Sequence, residues 1–195
     1  ELIVKNPGIP YHNEMIQAAI EKEIPIITEV ELAYQISEAP FIAITGTNGK
    51  TTTTTLIYEM LKAGHKAPLI AGNIGTVASE VAQEATAENT IVIELSSFQL
   101  MGITTFKPKI AVLTNLYDAH LDYHGTRGEY WRAKANITKY QTAEDYFIVN
   151  GDQESTFEIG QSSNAVLVPF STKQTQPIGA YVSGDYLYFK DEKIM

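Results

Sequence analysis

The sequence predicts an α/β fold: a mostly parallel sheet with helices on both faces, and a smaller antiparallel β region near the C-terminus. Three observations predict it. Short apolar runs such as FIAIT (41–45), NTIVIEL (89–95) and KIAVLTN (109–115) alternate with longer helical segments, the pattern of a sheet covered on both sides. The first of these runs leads directly into GTNGKT (46–51), a glycine-rich turn at a helix start. Near the end, YVSGDYLYF (181–189) alternates apolar residues around a Gly-Asp pair, as an antiparallel hairpin does.

Taken in order, ELIVK (1–5) reads as a strand and NPGIP (6–10) as a turn, because Pro and Gly interrupt the apolar run. Residues 13–22 read as a helix, PII (25–27) as a short strand and 29–37 as a second helix, after which Pro40 breaks the pattern. FIAIT is a strand, and a helix runs from about Lys50 to Ala63. APLIAG (67–72) is a strand, 75–85 a helix, and NTIVIEL and KIAVLTN are strands. A helix over 127–140 and the strand DYFIVN (145–150) follow, and Val166 to Phe189 reads as an antiparallel region.

Composition narrows the function. The 195 residues are 44% hydrophobic, enough for one core of ordinary size and part of a second. No stretch approaches the roughly 18 apolar residues of a membrane span, and no signal-peptide pattern opens the chain, so a cytoplasmic protein is expected. The absence of cysteine excludes a disulfide scaffold and thiolate zinc sites. A net charge of -9 argues against a nucleic-acid partner, which needs a basic face, so any anionic ligand must be held locally. The chain starts at Glu1 inside an apolar run and stops at Met195 soon after YLYF, and a fragment of a longer protein is expected.

FIAIT followed by GTNGKT supplies the strand, turn and helix start that a phosphate-binding loop requires. Glycines let backbone N–H groups curl around phosphate oxygens, and the helix N-terminus adds partial positive charge. Lys50 brings a full charge and Thr51 a hydroxyl suited to Mg2+. The longer GxxxxGK[ST] pattern needs glycine at 44, where this chain has Ile44. Five consecutive threonines, 51 to 55, open the helix; they are tolerable in a first turn, where hydroxyls can serve ligands or unpaired N–H groups. Thr51 and Thr52 take that role, while Thr53 to Thr55 are expected only to pack the helix against the sheet.

In a parallel sheet, ligands gather at the carboxyl ends of the strands. Here APLIAG leads to Asn73, TIVIEL ends at Glu94 and Ser96, and IAVLTN ends at Asn115 and leads to His120. Glu94 is placed to hold Mg2+ directly or through water. His120 reads equally as a ligand or as a hydrogen-bonded loop histidine, and His12, His65 and His124 as surface residues. On the 127–140 helix, Tyr130, Lys134, Ile137 and Gln141 share one stripe, which turns Lys134 toward the core or the cleft. A buried ammonium beside Mg2+ would be unfavourable unless its charge were changed or paired.

Together these motifs resemble the Mur ligase family. The residues that carry the likeness are NPGIP (6–10), ITGTNGKTTT (44–53), AGNIG (71–75), ELSSFQL (94–100), NLYDAHLDYHG (115–125) and YWRAK (130–134). The shortened GTNGKT loop is the form this family uses, and ELSSFQL resembles the branch that adds D-glutamate. The likeness runs from residue 1 to about 152 and fades beyond.

The resemblance implies a P-loop NTPase-like central domain and a reaction. ATP would phosphorylate the carboxylate of UDP-N-acetylmuramoyl-L-alanine, and the amine of D-glutamate would attack the acyl phosphate, a step of peptidoglycan synthesis. It also implies roles. Lys50 and the amides of Gly46, Thr47, Asn48, Gly49, Lys50, Thr51 and Thr52 would hold the ATP phosphates, with Thr51 and Glu94 at one Mg2+. Asn73, Ser96 and Gln99 would contact the muramoyl substrate. His120 and Lys134 would serve a second Mg2+, Lys134 as a CO2-derived carbamate, an anion where an ammonium would repel the metal. Lys50, Asn73, His120 and Lys134 form the implied catalytic set. Where many members have an acidic residue before the histidine, this chain has Ala119, and Asp118 is not assigned to metal. Residues 1–39 are expected to close a UDP-substrate-binding domain and 40–195 to form an incomplete ATP-binding domain, with the amino-acid-presenting domain absent and a monomer expected. The alternatives are a sister ligase of the folylpolyglutamate type and a nucleotide switch, the latter from DYHG (122–125) and NLYD (115–118).

Overall fold

In the computed structural model, which describes residues 1–195, the chain first makes a small two-stranded unit. β1 (Ile3–Lys5) pairs in parallel with β2 (Ile26–Thr28) across α1 (Glu14–Glu21), whose N-terminus is capped by the Asn13 side chain. α2 (Glu29–Ile36) follows β2 without a loop.

Pro40 ends that unit, and β3 (Phe41–Thr45), α3 (Lys50–Ala63), β4 (Ala67–Gly72), α4 (Ala78–Glu84), β5 (Asn89–Glu94) and α5 (Ser97–Leu100) come next. They lead to β6 (Ile110–Leu113), α6 (Leu121–His124), α7 (Arg127–Ala135), β7 (Tyr146–Asn150), α8 (Glu154–Gln161) and β8 (Val166–Ser171). β9 (Ala180–Ser183), β10 (Tyr186–Phe189) and β11 (Glu192–Lys193) complete a nine-stranded sheet in the order β11-β10-β9-β8-β7-β6-β3-β5-β4. Pairing is parallel from β4 to β9 and antiparallel from β9 to β11. β3 lies between β5 and β6, so the strand order reverses there and opens a crevice at the strands' carboxyl ends.

Strand alternation divides the core. Phe41, Ile91, Ile93 and Leu113 face one side, where they join Val30 of α2 and Phe106; Ile44, Val92 and Val112 face the other, under Ile57 and Leu61 of α3. Phe41, Tyr34 and Phe106 meet edge to face with centroids 5.4–5.9 Å apart. Along α3, Thr54 is the buried threonine, on the stripe of Ile57 and Leu61, whereas Thr55 is exposed and contributes no packing.

Several boundaries differ from the sequence reading. The antiparallel region begins at β9, because Val166–Ser171 pairs in parallel with β7. The 127–140 helix stops at Ala135 and tightens into a 3-10 turn over Asn136–Thr138. The helix expected from 75 starts at Ala78, because Gly75 is left-handed and Thr76 bridges back to Ala71. α5, α6 and α8 are additions. No helix is long and apolar enough to cross a membrane.

The N-terminal unit is tied to the large sheet by Glu31, which is 0% exposed. Its carboxylate accepts hydrogen bonds from the N–H groups of Thr104, Thr105 and Phe106, from the Thr105 hydroxyl and from Gln35 Nε2. Burial alone would raise its pKa, but these donors pull it down to about 2. Nearby, the Thr28 hydroxyl donates to Gln99 O at 2.8 Å, and Gly102 packs so closely that a Cβ there would come within 2.5 Å of Thr28 Cγ2.

The folded-state pKa of Glu31 is depressed, so its contribution is present above the unfolded value of 4.5 and is lost as pH falls toward 2. Glu31→Gln is expected to cost about 2–3 kcal/mol at pH 7 by urea denaturation, with the gap from wild type narrowing below pH 4.5.

Candidate functional site

The crevice at the end of β3 is built from the phosphate loop outward. Gly46 has φ 148°, and a Cβ there would lie 1.9 Å from Thr114 Oγ1; Gly49, at φ 79°, caps α3 in a left-handed conformation. The loop is laced to the segment after β6. Thr47 N–H donates to Asn115 O at 2.9 Å, Asn48 N–H to Asn115 Oδ1 at 2.9 Å, and the Thr114 hydroxyl to Asn48 O at 2.8 Å. The amides of Thr47 and Asn48 are therefore engaged, while those of Lys50, Thr51 and Thr52 belong to a first helical turn and have no intrahelical acceptor. Lys50 Nζ folds back onto Thr47 O at 3.0 Å.

Beside the loop, Glu94 ends β5 at 2% exposure. Its Oε2 accepts from the Thr51 hydroxyl at 2.7 Å and its Oε1 from Asn73 Nδ2 at 3.3 Å, so α3 and the end of β4 meet at one carboxylate. A hydroxyl and a carboxylate are hard oxygen donors, the set that Mg2+ takes. No group of three or more His, Asp or Glu surrounds them, so phosphate oxygens and water would have to complete such a coordination shell.

Ser96 and Gln99 close α5 as a capping box: Gln99 N–H donates to Ser96 Oγ at 3.3 Å, and Ser96 N–H donates to Gln99 Oε1 at 2.8 Å. His120 is left-handed (φ 53°, ψ 34°) at the start of α6, with its exposed ring 5.3 Å from Phe98. Lys134 is 2% exposed; its Nζ donates to Gly46 O at 2.7 Å and lies 4.8 Å from the Tyr130 ring. Burial, then the Lys50 charge, pushes its pKa down to about 7, partly opposed by Glu94. Tyr130 and Lys134 of α7 are buried, as their spacing predicted, and Ile137 and Gln141 are buried beyond the end of that helix.

Thr47, Lys50, Asn73, Ser96, Gln99, His120 and Lys134 thus line one cavity of about 500 Å3, closed on the far side by Asn6, Pro7 and Gly8. The NPGIP turn received no site role from the sequence. Lys5 holds its shape from below, donating to Asn6 O, Pro7 O and Ile9 O at 3.2, 3.2 and 2.6 Å. A lysine inside a strand was the available signal. His12 and His65 are exposed, as expected. His124 corrects its reading as a surface residue: one turn after His120 it folds inward at 6% exposure, with Nε2 2.9 Å from Ser97 Oγ and its ring stacked on Phe98. Burial, then His120 and Lys134, lowers its pKa. Asp118 pairs with Arg127 outside the cavity.

The Mur ligase middle domain matches residues 44–193 of this sequence. The chain belongs to the Mur ligase family. It is 58% identical over its full length to a UDP-N-acetylmuramoylalanine–D-glutamate ligase of Geobacillus sp. strain WCH70, and 61% identical to the enzyme of that name from Bacillus cytotoxicus. In both cases the chain spans 43% of the relative's length. Among solved structures, the MurF ligase of Thermotoga maritima in complex with ADP superposes with a TM-score of 0.64 at 17% identity, over 99% of this chain and 53% of that one. The Neisseria ligase that acts on UDP-N-acetylmuramate superposes with the same score at 17% identity, over 98% of this chain and 65% of that one. These two share the fold with this Mur ligase chain.

Ser97→Ala would leave the buried His124 Nε2 without its partner and is expected to cost about 1–2 kcal/mol in a denaturant titration. Equal stability would remove the Ser97 contact from the account of His124.

Proposed function

We propose that this chain is the ATP-binding part of a ligase that joins D-glutamate to UDP-N-acetylmuramoyl-L-alanine in peptidoglycan synthesis, and that it works in the cytoplasm. The observation that carries the reading is the convergence on one cavity of Thr47 and Lys50 of the phosphate loop and a buried lysine with its pKa near neutrality, with the metal-suited Thr51–Glu94 pair hydrogen-bonded to Asn73 of the cavity wall. The D-glutamate specificity rests on the 58–61% identity to ligases of that name. Residues 1–39 are assigned to the end of the UDP-substrate-binding part and 40–195 to the ATP-binding domain. The amino acid is presented by parts of the longer relatives outside this chain.

In this reading the free N–H groups at the start of α3, with Lys50, hold the transferring phosphoryl group of ATP. An oxygen of the substrate carboxylate bonds to the γ-phosphorus and ADP leaves. The amine of D-glutamate then attacks the acyl carbon, loses a proton and expels phosphate to leave an amide. Asn73, Ser96 and Gln99 orient the muramoyl substrate, and the NPGIP turn and His120 bound the space it fills. Mg2+ at Thr51 and Glu94, and at a carbamylated Lys134 with His120, would offset the repulsion between phosphate and carboxylate. Lys134 suits that modification, since CO2 reacts with a neutral amine and burial has brought the pKa to about 7.

The reading is tested by phosphate release from the protein at the full length of its relatives, with ATP, Mg2+ and UDP-N-acetylmuramoyl-L-alanine, adding D-glutamate, L-glutamate or L-lysine in turn. Release is expected only with D-glutamate; release with another amino acid alone would overturn the specificity. Lys134→Ala is expected to lower the rate roughly 100-fold or more, with partial recovery on adding a short carboxylic acid.

The carbamate has its own readout. Around a pKa of about 7, the neutral fraction of Lys134 rises from roughly a tenth at pH 6 to roughly nine tenths at pH 8. At fixed dissolved 13CO2, a carbamate signal absent from Lys134→Ala should therefore grow over that range; a signal that falls with pH would count against the assignment.

A further inference from the structure

Beyond the ends of β3 and β6 the sheet stops, yet the chain stays paired through two side-chain amides in series. Gln153, just before α8, grips the backbone of Leu116 on both groups: Leu116 N–H donates to Gln153 Oε1 at 2.8 Å, and Gln153 Nε2 donates to Leu116 O at 2.5 Å. One residue earlier, Asn115 grips Asn48 in the same way, with Asn48 N–H to Oδ1 at 2.9 Å and Nδ2 to Asn48 O at 3.0 Å. A primary amide presents one acceptor and two donors, so each clamp stands in for a rung of β-ladder where there is no strand. The far end is anchored too. Thr156 donates to Gln153 O at 2.8 Å, and Asn150 Nδ2 donates to Thr114 O at 3.2 Å. At the near end the Thr47 hydroxyl accepts Tyr117 N–H at 2.9 Å.

A glycine-rich loop has wide backbone freedom, and a ligand that must order it loses affinity by that entropy. The Asn115 clamp turns the Asn48 amide inward, beside the backbone bond from Thr47 N–H to Asn115 O, and together they fix the loop just before α3 begins. We propose that Asn115 and Gln153 are positioning residues for nucleotide binding, Gln153 acting through Leu116 and Asn115 directly on Asn48, to hold the phosphate loop ready before a triphosphate arrives. The proposal rests on the reading of GTNGKT as the nucleotide site and adds residues that touch no phosphate.

The test is calorimetric titration of Mg2+–ATP into the protein at the full length of its relatives, with hydrogen exchange followed over residues 44–52. Asn115→Leu and Gln153→Met keep side-chain volume and remove both hydrogen bonds of each clamp. Each is expected to weaken ATP binding about 10-fold and to speed exchange at Thr47 and Asn48. The double variant should be within about 2-fold of the weaker single, since the clamps act in series. Phe147→Leu, a cavity in β7 away from the loop, should lower the melting temperature and leave ATP affinity unchanged. If Asn115→Leu does not fold, Gln153→Met and Gln153→Glu, which removes only the Nε2 donor, carry the test. ATP affinity indifferent to Gln153, or falling with melting temperature in Phe147→Leu as well, would overturn the proposal while leaving the site reading intact. No binding by wild type would overturn both.

Discussion

The approach of Gly46 to Thr114 is the contact on which the site depends. With no side chain at 46, the backbone leaving β3 lies against the end of β6, and the space that a Cβ would fill is occupied by Thr114 Oγ1. That hydroxyl can then reach Asn48 O, Asn115 can pair with Asn48, and the Gly46 carbonyl is left facing α7, where Lys134 takes it. A larger residue at 46 would part β3 from β6 and undo all three contacts at once. The polar cluster is a result of sheet topology: the strand order reverses at β3, so residues from β4, β5 and β6 all end within reach of one loop.

A second constraint comes from the N-terminal unit. Glu31 and Thr28 hold the chain between α5 and β6, and that chain continues from the capping box of Ser96 and Gln99. The same unit supplies the NPGIP turn on the opposite wall. Tyr123 of α6 lies between the two, its ring 4.6 Å from Phe98 and its hydroxyl toward Pro7 O and Ile9 O. The cavity is therefore walled by both parts of the chain, and the wall's position is set by a buried carboxylate and the five donors around it.

Much of this was legible because each strand and the longer helices carry their own period. The stripe 130, 134, 137, 141 foretold the burial of Lys134, and the polar residues closing apolar strands foretold Glu94 and Asn73. What escaped has physical reasons. α5 and α6 are four residues long, too short to show a period, so the inward turn of His124 left no mark in LDYHG. Val166–Ser171 alternates no differently in a parallel than in an antiparallel pairing. The clamps of Asn115 and Gln153 bind backbone, and backbone has no sequence of its own to match. Glu31 reads as an ordinary first-turn glutamate because its partners lie more than seventy residues away.

Lys50 and the free N–H groups at the start of α3 stand inside a chain of net charge -9. At contact an anion meets these donors, but farther off it meets the field of the acidic chain, which repels it. Salt screens charges beyond about 8 Å at physiological ionic strength and screens recessed groups less. Added salt therefore removes more repulsion than attraction for an incoming polyanion, and its arrival quickens where that of a nucleic acid at a basic surface would slow. The locally positive site in an acidic body works as a filter on charge: a triphosphate partly neutralised by a divalent cation meets a lower barrier on approach than the bare one.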